Sequence, residues 1–209
     1  MYAVDNRCLY ARLPDFLQIG RGKYKIDASF RAALKVQDVL TDILLSDSEK
    51  ARLCATILVR PRFLGKIMPY KNCVALLEAY FEKIIPGLRS GKKKETQKIM
   101  DFRQDAQYIY SAFRQVYGID LFGKDKNLHW WVFLALLSGL PDNTRLMQII
   151  SIRTRKPPRP TRHNAEERAE LMRLKTEYAL ELTEEERERN LQEGLAKLAV
   201  SLEALARQK

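Results

Sequence analysis

The stretch LHWWVFLALL, residues 128–137, decides the fold class of this chain because nine of its ten residues are apolar. Asp125 precedes it and Gly139 and Pro141 follow it, so the sequence predicts a helix from just after Asp125 to Ser138. Apolar residues would cover every side of that helix, which is typical of a helix in the middle of a bundle or packed against a partner. The run is shorter than the roughly 20 residues that span a bilayer. We therefore expect a buried core helix and no membrane association.

Two helices are expected upstream, each with a capping signal at its start. Ser29 can cap the first, while Ser46 with Glu49 has the spacing of a capping box for the second, which Pro61 should end. The first helix should bury one broad face, formed by Phe30, Ala33, Leu34, Val36, Leu40 and Ile43. The second should turn three side chains inward, Leu53, Ile57 and Leu58.

Three more helices complete the expected bundle. One should run from Tyr70 to Ile85 and bury the stripe Val74, Leu77, Phe81 and Ile84. Another should run from Asp101 to Tyr117, with Gly118 as its C-terminal cap, and bury Phe102, Ala106, Ile109, Phe113 and Val116. A short last helix, capped by Asp142, carries Leu146, Ile149 and Ile150.

A short β-hairpin is expected before the first helix. Residues 16–19 and 23–26 nearly alternate between apolar and polar, and Gly20-Arg21-Gly22 lies between them. This Gly-x-Gly lacks the third glycine of a dinucleotide-binding loop, so we interpret it as a turn. The predicted fold class is therefore mainly α: a helical bundle with a short N-terminal β-hairpin and a C-terminal amphipathic helical extension.

A proline-rich segment, residues 155–160, separates the predicted bundle from the extension. Three prolines in four residues favour a stiff, extended linker. We divide the chain into an N-terminal tail (1–11), a helical domain (12–156), a linker (157–163) and a charged helical extension (164–209). A second interpretation of the prolines is a ligand for an SH3-type domain.

The C-terminal extension carries a stripe of leucines. Asn164 should cap its first helix, and Thr183 with Glu186 has the spacing of a second capping box. The leucines that follow step by four, three, four and three residues: Leu191, Leu195, Leu198, Leu202 and Leu205. That is the seam of a coiled coil over about two heptads, which is too short to be stable alone. We therefore predict that this leucine stripe drives homo-oligomerisation and also engages helices of a partner protein.

The net charge of +11 is concentrated in one stretch. Residues 61–100 hold nine Lys or Arg against three Asp or Glu, including Lys92-Lys93-Lys94. A basic run can contact phosphates, so weak, non-specific contact with nucleic acid is expected, and a basic nucleic-acid-binding or regulatory protein is the alternative function. No aromatic residue is interleaved with the three lysines for stacking on single strands, and a solvated loop explains them as well.

The sequence carries no recognisable catalytic or metal-binding motif. Cys8, Cys54 and Cys73 form neither a disulfide framework nor a Cys-x-x-Cys pair, and the last two fit small core residues in a reducing compartment. His129 and His163 lack the spacing of metal ligands. We therefore expect no enzymatic activity, no catalytic or metal-binding residues and no cofactor. The first residues lack the apolar region of a secretory signal, which predicts a cytoplasmic protein.

Two strings in the middle of the chain resemble a known protein family. They are Asp101-Phe102-x-x-Asp105-Ala106-x-Tyr108-Ile109-Tyr110 and Leu128-His129-Trp130-Trp131. The hairpin and residues 27–31, 117–121, 139–141 and 152–155 fit the same pattern. The family is the gp-fifteen family of long-tailed phages that infect Gram-positive bacteria. The resemblance covers roughly residues 12–156 and leaves residues 157–209 outside.

The resemblance implies a helical, non-enzymatic tail assembly chaperone whose gene lies beside the tape measure gene. Such a chaperone would bind and solubilise the long, helical tape measure protein before the tail tube polymerises. It would act in the host cell cytoplasm and would not be retained in the mature virion. It would bind apolar helix faces by the helix-in-groove mode. The residues that we predict to bind the partner are Trp130, Trp131, Leu191, Leu195, Leu198, Leu202 and Leu205.

Overall fold

A computed structural model describes residues 12–59, 68–84, 98–123 and 127–182. These residues contain one two-stranded antiparallel hairpin and seven helices, so the fold is mainly α as predicted. They fall into two compact units, the first within residues 12–98 and 105–148 and the second within 99–104 and 149–182. No helix in the described ranges is long and apolar enough to span a membrane.

The elements follow one another with short connections. The strands are β1 (Phe16–Ile19) and β2 (Gly22–Lys25), and the helices are α1 (Phe30–Thr41), α2 (Asp47–Leu58), α3 (Tyr70–Lys83), α4 (Ala106–Tyr117), α5 (Trp130–Ser138), α6 (Arg145–Thr154) and α7 (Ala165–Glu177). In the first unit, α2 packs between α1 and α3, α3 also packs on β1, and α5 packs on α1 and α4. The division between the two units falls within α6.

The hairpin forms where the sequence predicts it. Ile19 pairs with Gly22, which leaves Gly20 and Arg21 as a two-residue turn. Gly20 has φ +57°, and a positive φ at the first turn position, as in a type II′ turn, is the conformation that glycine adopts without steric cost. Leu17 is fully buried while its neighbours Phe16 and Gln18 are exposed, so one face of the hairpin joins the core.

The starts of α1 and α5 are joined by a reciprocal pair of backbone hydrogen bonds. The N–H of Phe30 donates to the carbonyl of Leu128 at 2.9 Å, and the N–H of Trp130 donates to the carbonyl of Ala28 at 2.8 Å. The N-termini of these two helices therefore lie side by side. This contact could not be predicted from a local sequence pattern, because the bonded residues are far apart in the chain.

The predicted N-caps of α1 and α2 are both present, but some side chains assigned to their buried faces are exposed. The sequence predicts Ile43 inward, whereas α1 ends at Thr41 and leaves Ile43 in the following turn, 73% exposed. Leu53 is 43% exposed because α2 buries a face of mostly small residues, Ala51, Cys54, Ala55 and Leu58. Small side chains let helices approach closely, and a count of large apolar residues misses such a face.

Helix α3 buries a face that is mostly one residue out of phase with the prediction. The buried side chains within the helix are Cys73, Leu76 and Tyr80, whereas the predicted Val74, Leu77 and Phe81 are only half-buried. The predicted Ile84, which is the C-cap of the helix, is buried. One residue rotates a helix by about 100°, so these are neighbouring faces. Both are apolar, and periodicity alone cannot choose between them. The packing on α2 and β1 decides the orientation.

Tyr80 is fully buried, and no atom of the described ranges forms a hydrogen bond with its hydroxyl. Burial raises the pKa of this phenol, and Asp27 and Cys54 add to the effect. A buried hydroxyl without a partner destabilises the fold, so we expect Tyr80→Phe to raise the free energy of unfolding by about 1 kcal/mol.

The matched control is Tyr117→Phe. The Tyr117 hydroxyl donates to the carbonyl of Leu136 at 2.9 Å, and its loss should lower the free energy by about 1 kcal/mol. Denaturant unfolding measures both, and a Tyr80→Phe variant less stable than the wild type would contradict this account.

Helix α4 begins at Ala106 rather than at Asp101. The Asp101 carboxylate accepts hydrogen bonds from the backbone N–H groups of Arg103 (2.8 Å) and Gln104 (2.9 Å). These bonds fold residues 101–104 into a turn, and an aspartate that bonds its own backbone in this way competes with helix formation. The predicted C-cap is confirmed, since Gly118 has φ +66°.

Thr144, not Asp142, starts α6. Its hydroxyl donates to the carbonyl of Pro141 at 2.9 Å and accepts from the N–H of Met147 at 3.4 Å. Thr144 is fully buried. Both residues can cap a helix, and the turn after Pro141 places Thr144 at the capping position.

The second unit is held together by Arg153 and Gln104. Arg153 donates from Nε to the carbonyl of Tyr178 at 2.6 Å and from a terminal nitrogen to the carbonyl of Ile99 at 3.1 Å. The side-chain amide of Gln104 pairs with the backbone of Glu181, accepting from its N–H at 2.7 Å and donating to its carbonyl at 2.9 Å. The chain that follows α7 is therefore tied to residues 99–104.

Several predictions stay open. Those on Cys8, Pro61, the Lys92-Lys93-Lys94 loop, the Thr183–Glu186 capping box and the leucine stripe from Leu191 to Leu205 lie outside the described residues. The domain boundaries at residues 156 and 163 remain predictions. The linker and α7 belong to the same compact unit.

Candidate partner-binding surface

Helix α5 buries one side in a cluster of aromatic rings. Trp130 and Phe133 are 6% and 1% exposed. The ring of Phe133 stacks on Phe30 with 4.7 Å between centroids, on Phe113 at 5.1 Å and on Trp130 at 5.7 Å. Phe133 is therefore the centre of a cluster built by α1, α4 and α5. The burial of Trp130 confirms that at least one of the two tryptophans belongs to the core.

A second side of α5, adjoining the buried one, is exposed and still mainly apolar. We call this side the α5 outer face; it consists of Trp131, Leu134, Ala135 and Ser138. These positions are three, four and seven residues apart and so share one side of the helix. Leu134 is 36% exposed, Ala135 and Ser138 are exposed, and Trp131 is partly exposed. The prediction of a helix buried on every side is therefore wrong, and packing against a partner stays a prediction.

His129 fixes the start of α5. Its Nδ1 accepts a hydrogen bond from the N–H of Trp131 at 3.1 Å, which makes it the N-cap of the helix. Its Nε2 lies 3.3 Å from the carbonyl of Pro14. The neutral ring with its proton on Nε2 satisfies both contacts at once. Half-burial lowers the pKa of this imidazole, while the Pro14 carbonyl and Asp15 partly oppose the shift.

We expect the chain to lose stability as the pH falls below 6.5, the ordinary pKa of histidine, because of His129. The folded-state pKa is the lower one, so the unfolded chain binds the proton first and a falling pH favours unfolding. His129→Asn keeps a capping side chain that does not titrate. Between about pH 7 and about pH 5, it should reduce the slope of unfolding free energy against pH. The reduction corresponds to at most one proton fewer taken up on unfolding. Urea unfolding at a series of pH values measures this slope. An equal slope in the wild type and in His129→Asn would contradict the role assigned to His129.

The carboxyl end of α5 is held by α4. The Tyr117 hydroxyl donates a hydrogen bond to the carbonyl of Leu136. A Cβ atom at Gly139 would lie 3.3 Å from that hydroxyl. The absence of a side chain at Gly139 thus leaves room for the tyrosine. The α5 outer face is therefore carried by a helix fixed at both ends, which reduces the ordering cost of binding.

Two of the seven predicted partner-binding residues fall within the described part of the chain. Trp130 supports α5 from the core, whereas Trp131 reaches the surface. The other five, Leu191, Leu195, Leu198, Leu202 and Leu205, lie outside it. Sequence reasoning missed Leu134 and Ala135. Their spacing from Trp131 was readable, but the helix is apolar all round, so only the position of Phe133 reveals which side is exposed.

Phe122 is a second exposed apolar residue that the sequence does not single out. It is 71% exposed, with the ring of Tyr110 at 5.1 Å and the guanidinium of Arg31 at 5.6 Å from its ring. Asp120 accepts hydrogen bonds from the N–H groups of Phe122 and Gly123, both at 3.0 Å, and these bonds lower the pKa of its carboxyl. The turn therefore holds Phe122 at the surface of the first unit.

The described cysteines are buried and show no sign of reactive chemistry. Cys54 is fully buried, and burial raises the pKa of its thiol to about 11; burial also raises the pKa of Cys73. A thiol with a raised pKa stays protonated and weakly nucleophilic at neutral pH. Within residues 12–182, apart from the gaps in the description, no three His, Cys, Asp or Glu side chains come together as a metal site.

Comparison with known proteins relates the chain to a family of phage proteins. A family model described as Bacteriophage Gp15 protein matches residues 9–180. No curated protein and no solved structure matches the chain significantly. The family match includes both motif strings and runs beyond residue 156, where the resemblance was expected to stop. The linker and α7 are therefore part of the family pattern.

Proposed function

Since the chain belongs to the Bacteriophage Gp15 protein family, we propose that it is a non-enzymatic tail assembly chaperone of a long-tailed phage. Its client would be the tape measure protein, which it binds and keeps soluble before the tail tube polymerises. It acts in the host cell cytoplasm and is not retained in the mature virion.

The observation that carries this proposal is the α5 outer face. Trp131, Leu134 and Ala135 form an apolar surface about one helical turn long, which can contact the apolar stripe of one client helix. The face lies on a helix that is capped by His129 and held by Tyr117. A preformed surface of this kind binds without prior rearrangement of its backbone.

The expected affinity per contact is modest. Leu134 is 36% exposed and Trp131 is partly exposed, so completing their burial would contribute only a fraction of the about 1.5–3 kcal/mol that a fully exposed side chain gains. Ordering and association costs reduce the sum further. Binding by a single chaperone copy is therefore weak and reversible. Reversibility is what a chaperone needs if tail tube subunits are to take its place. Several chaperone copies would cover a long client, and each copy would bind a different apolar segment of the client helix.

The test co-expresses the tape measure protein of the same phage with each chaperone variant and measures the soluble client. Leu134→Glu places a carboxylate in the middle of the α5 outer face. A charge that becomes buried without a partner opposes binding, so we expect soluble client to fall by about tenfold or more.

The control is Leu44→Glu, the same substitution at a leucine that is 87% exposed in the turn between α1 and α2. Leu44→Glu should keep the client soluble, and circular dichroism should show that both variants are folded. Equal client yields with the two variants would exclude the α5 outer face as the client site. A client that stays insoluble with the wild-type chain would refute the chaperone function itself.

We further propose that the chaperone self-associates through the leucine stripe formed by Leu191, Leu195, Leu198, Leu202 and Leu205. The support is the heptad spacing of the leucines on an otherwise charged segment. An oligomer would present several α5 outer faces to one client, which raises the overall affinity by effective concentration.

A further inference from the structure

The prolines between α6 and α7 favour a backbone with three residues per turn in that segment. Residues 155–161 form neither helix nor strand. Proline fixes its own φ near about −65°, and a residue that precedes proline avoids the helical conformation. At least one of these constraints acts on every residue from Lys156 to Pro160, and together they favour the polyproline II conformation. Residues three apart in the segment therefore lie on the same edge.

The inner edge faces α7 and consists of Arg155, Pro158 and Thr161. Arg155 lies 3.4 Å from a carboxylate oxygen of Glu167. Pro158 is half-buried, and its carbonyl accepts a hydrogen bond from the guanidinium of Arg168. The N–H of Thr161 donates to the side chain of Asn164 at 2.8 Å. These contacts tie the segment to α7 and its cap.

The other two edges are exposed. One carries the prolines Pro157 and Pro160, and the other carries the cations Lys156 and Arg159; a third exposed cation, Arg162, lies in the turn that follows. None of these three cationic side chains forms an ion pair or a hydrogen bond with the part of the chain that the structure describes. Lys156 and Arg159 are about 9 Å apart if the rise per residue is that of polyproline II. Residues 153–163 hold five Lys or Arg and no Asp or Glu.

Hydrogen bonds hold this segment in place before any partner arrives. The amide of Asn164 donates to the carbonyl of Arg159 at 2.8 Å, in addition to accepting from Thr161. Arg168 holds the carbonyl of Pro158 from the same helix. The segment is therefore already ordered by its bonds to α7, so a partner loses less conformational entropy on binding it.

We propose that residues 157–162 are a docking ridge for a protein domain with an aromatic-lined groove rimmed by carboxylates. Pro157 and Pro160 lie between the aromatic rings, and Arg159 and Arg162 reach the carboxylates. Grooves of this kind select polyproline II segments because the conformation is already formed. The spacing Pro157-x-x-Pro160-x-Arg162 supplies two apolar contacts and one charged contact in register.

One observation favours this partner over nucleic acid. No Phe, Tyr or Trp lies within residues 153–163, so the ridge has no ring for bases to stack on. This proposal does not rest on the chaperone function.

The test uses the full chain and one purified SH3 domain that selects Pro-x-x-Pro-x-Arg ligands, as a representative groove of this type. Calorimetric titration at about 150 mM salt should show saturable binding of one domain per chain. Pro160→Ala and Arg162→Gln should each weaken the affinity by about tenfold, since each removes a central apolar or charge-assisted contact. Arg155→Gln is the matched control: it removes the same charge from the inner edge and should bind as the wild type does.

The substituted residues on the outer edges are exposed, so circular dichroism should confirm that every variant is folded. An absence of saturable binding to the wild-type chain would overturn the proposal, and so would binding that Pro160→Ala leaves unchanged. A parallel titration uses oligo(dT) of about 20 nucleotides. Oligo(dT) binding tighter than that of the domain, lost in Arg162→Gln and kept in Pro160→Ala, would identify a polyanion site instead.

Discussion

Phe133→Ala should lower the free energy of unfolding by about 3–5 kcal/mol, the largest loss that we expect from any single substitution in α5. The side chain is 1% exposed and its ring contacts those of Phe30, Phe113 and Trp130. Truncation removes all three ring contacts and leaves a cavity between α1, α4 and α5. The surrounding rings are large and stiff, so they can close that cavity only in part. Equilibrium unfolding in urea, followed by tryptophan fluorescence, measures the loss.

The adjacent residue supplies the control for this prediction. Leu134 lies on the α5 outer face and is 36% exposed, so Leu134→Ala should cost about 1 kcal/mol or less. Both substitutions remove a large apolar side chain from the middle of one helix and change its helix propensity little. A difference in unfolding free energy below about 1 kcal/mol between the two variants would mean that the assigned orientation of α5 is wrong.

Truncation after Leu182 should leave both folded units intact and abolish self-association. The cut removes the leucine stripe from Leu191 to Leu205 and keeps the bonds that Arg153 and Gln104 make to Tyr178 and Glu181. We therefore expect the shortened chain to melt close to the temperature of the full chain and to sediment as a monomer. Sedimentation velocity at several concentrations and circular dichroism melting test the two parts of this prediction separately.

Truncation after Ile152 is the informative comparison. It also deletes Arg153 and α7, so it leaves the carbonyl of Ile99 and the side chain of Gln104 without the partners they have in the second unit. We expect that chain to unfold at a lower temperature than the one cut after Leu182. If the chain cut after Leu182 still sediments as the full chain does, the leucine stripe is not the self-association surface. That surface would then lie before residue 183.

The motifs that act over a few residues could be predicted from the sequence. The capping box of Ser46 and Glu49, the Ser29 cap, the Gly118 cap and the glycine turn of the hairpin are all present. Each joins groups only a few residues apart in the chain, so its geometry is set locally. The extended proline segment belongs to the same class, because the constraint lies within the proline ring and the residue before it.

The orientation of the helices could not be predicted in this way. Helix α3 has two neighbouring apolar faces and α5 is apolar on all sides, so their periodicity leaves the buried face undetermined. The contacts that choose the face come from other elements: Phe30 and Phe113 around Phe133 in α5, and the packing of β1 and α2 against α3. The α5 outer face is a consequence of that choice, which is why Leu134 escaped sequence reasoning.

By itself, therefore, the sequence determined which segments are helical, where three of them are capped, and that a stiff proline segment precedes a charged helix. Only the tertiary structure decided which side of α5 is left for a partner, and that the proline segment turns one edge to α7 and two edges to solvent. The physical reason is the range of the interactions. Caps, turns and proline constraints act within a few residues, whereas burial depends on which distant side chains fill the space beside a helix.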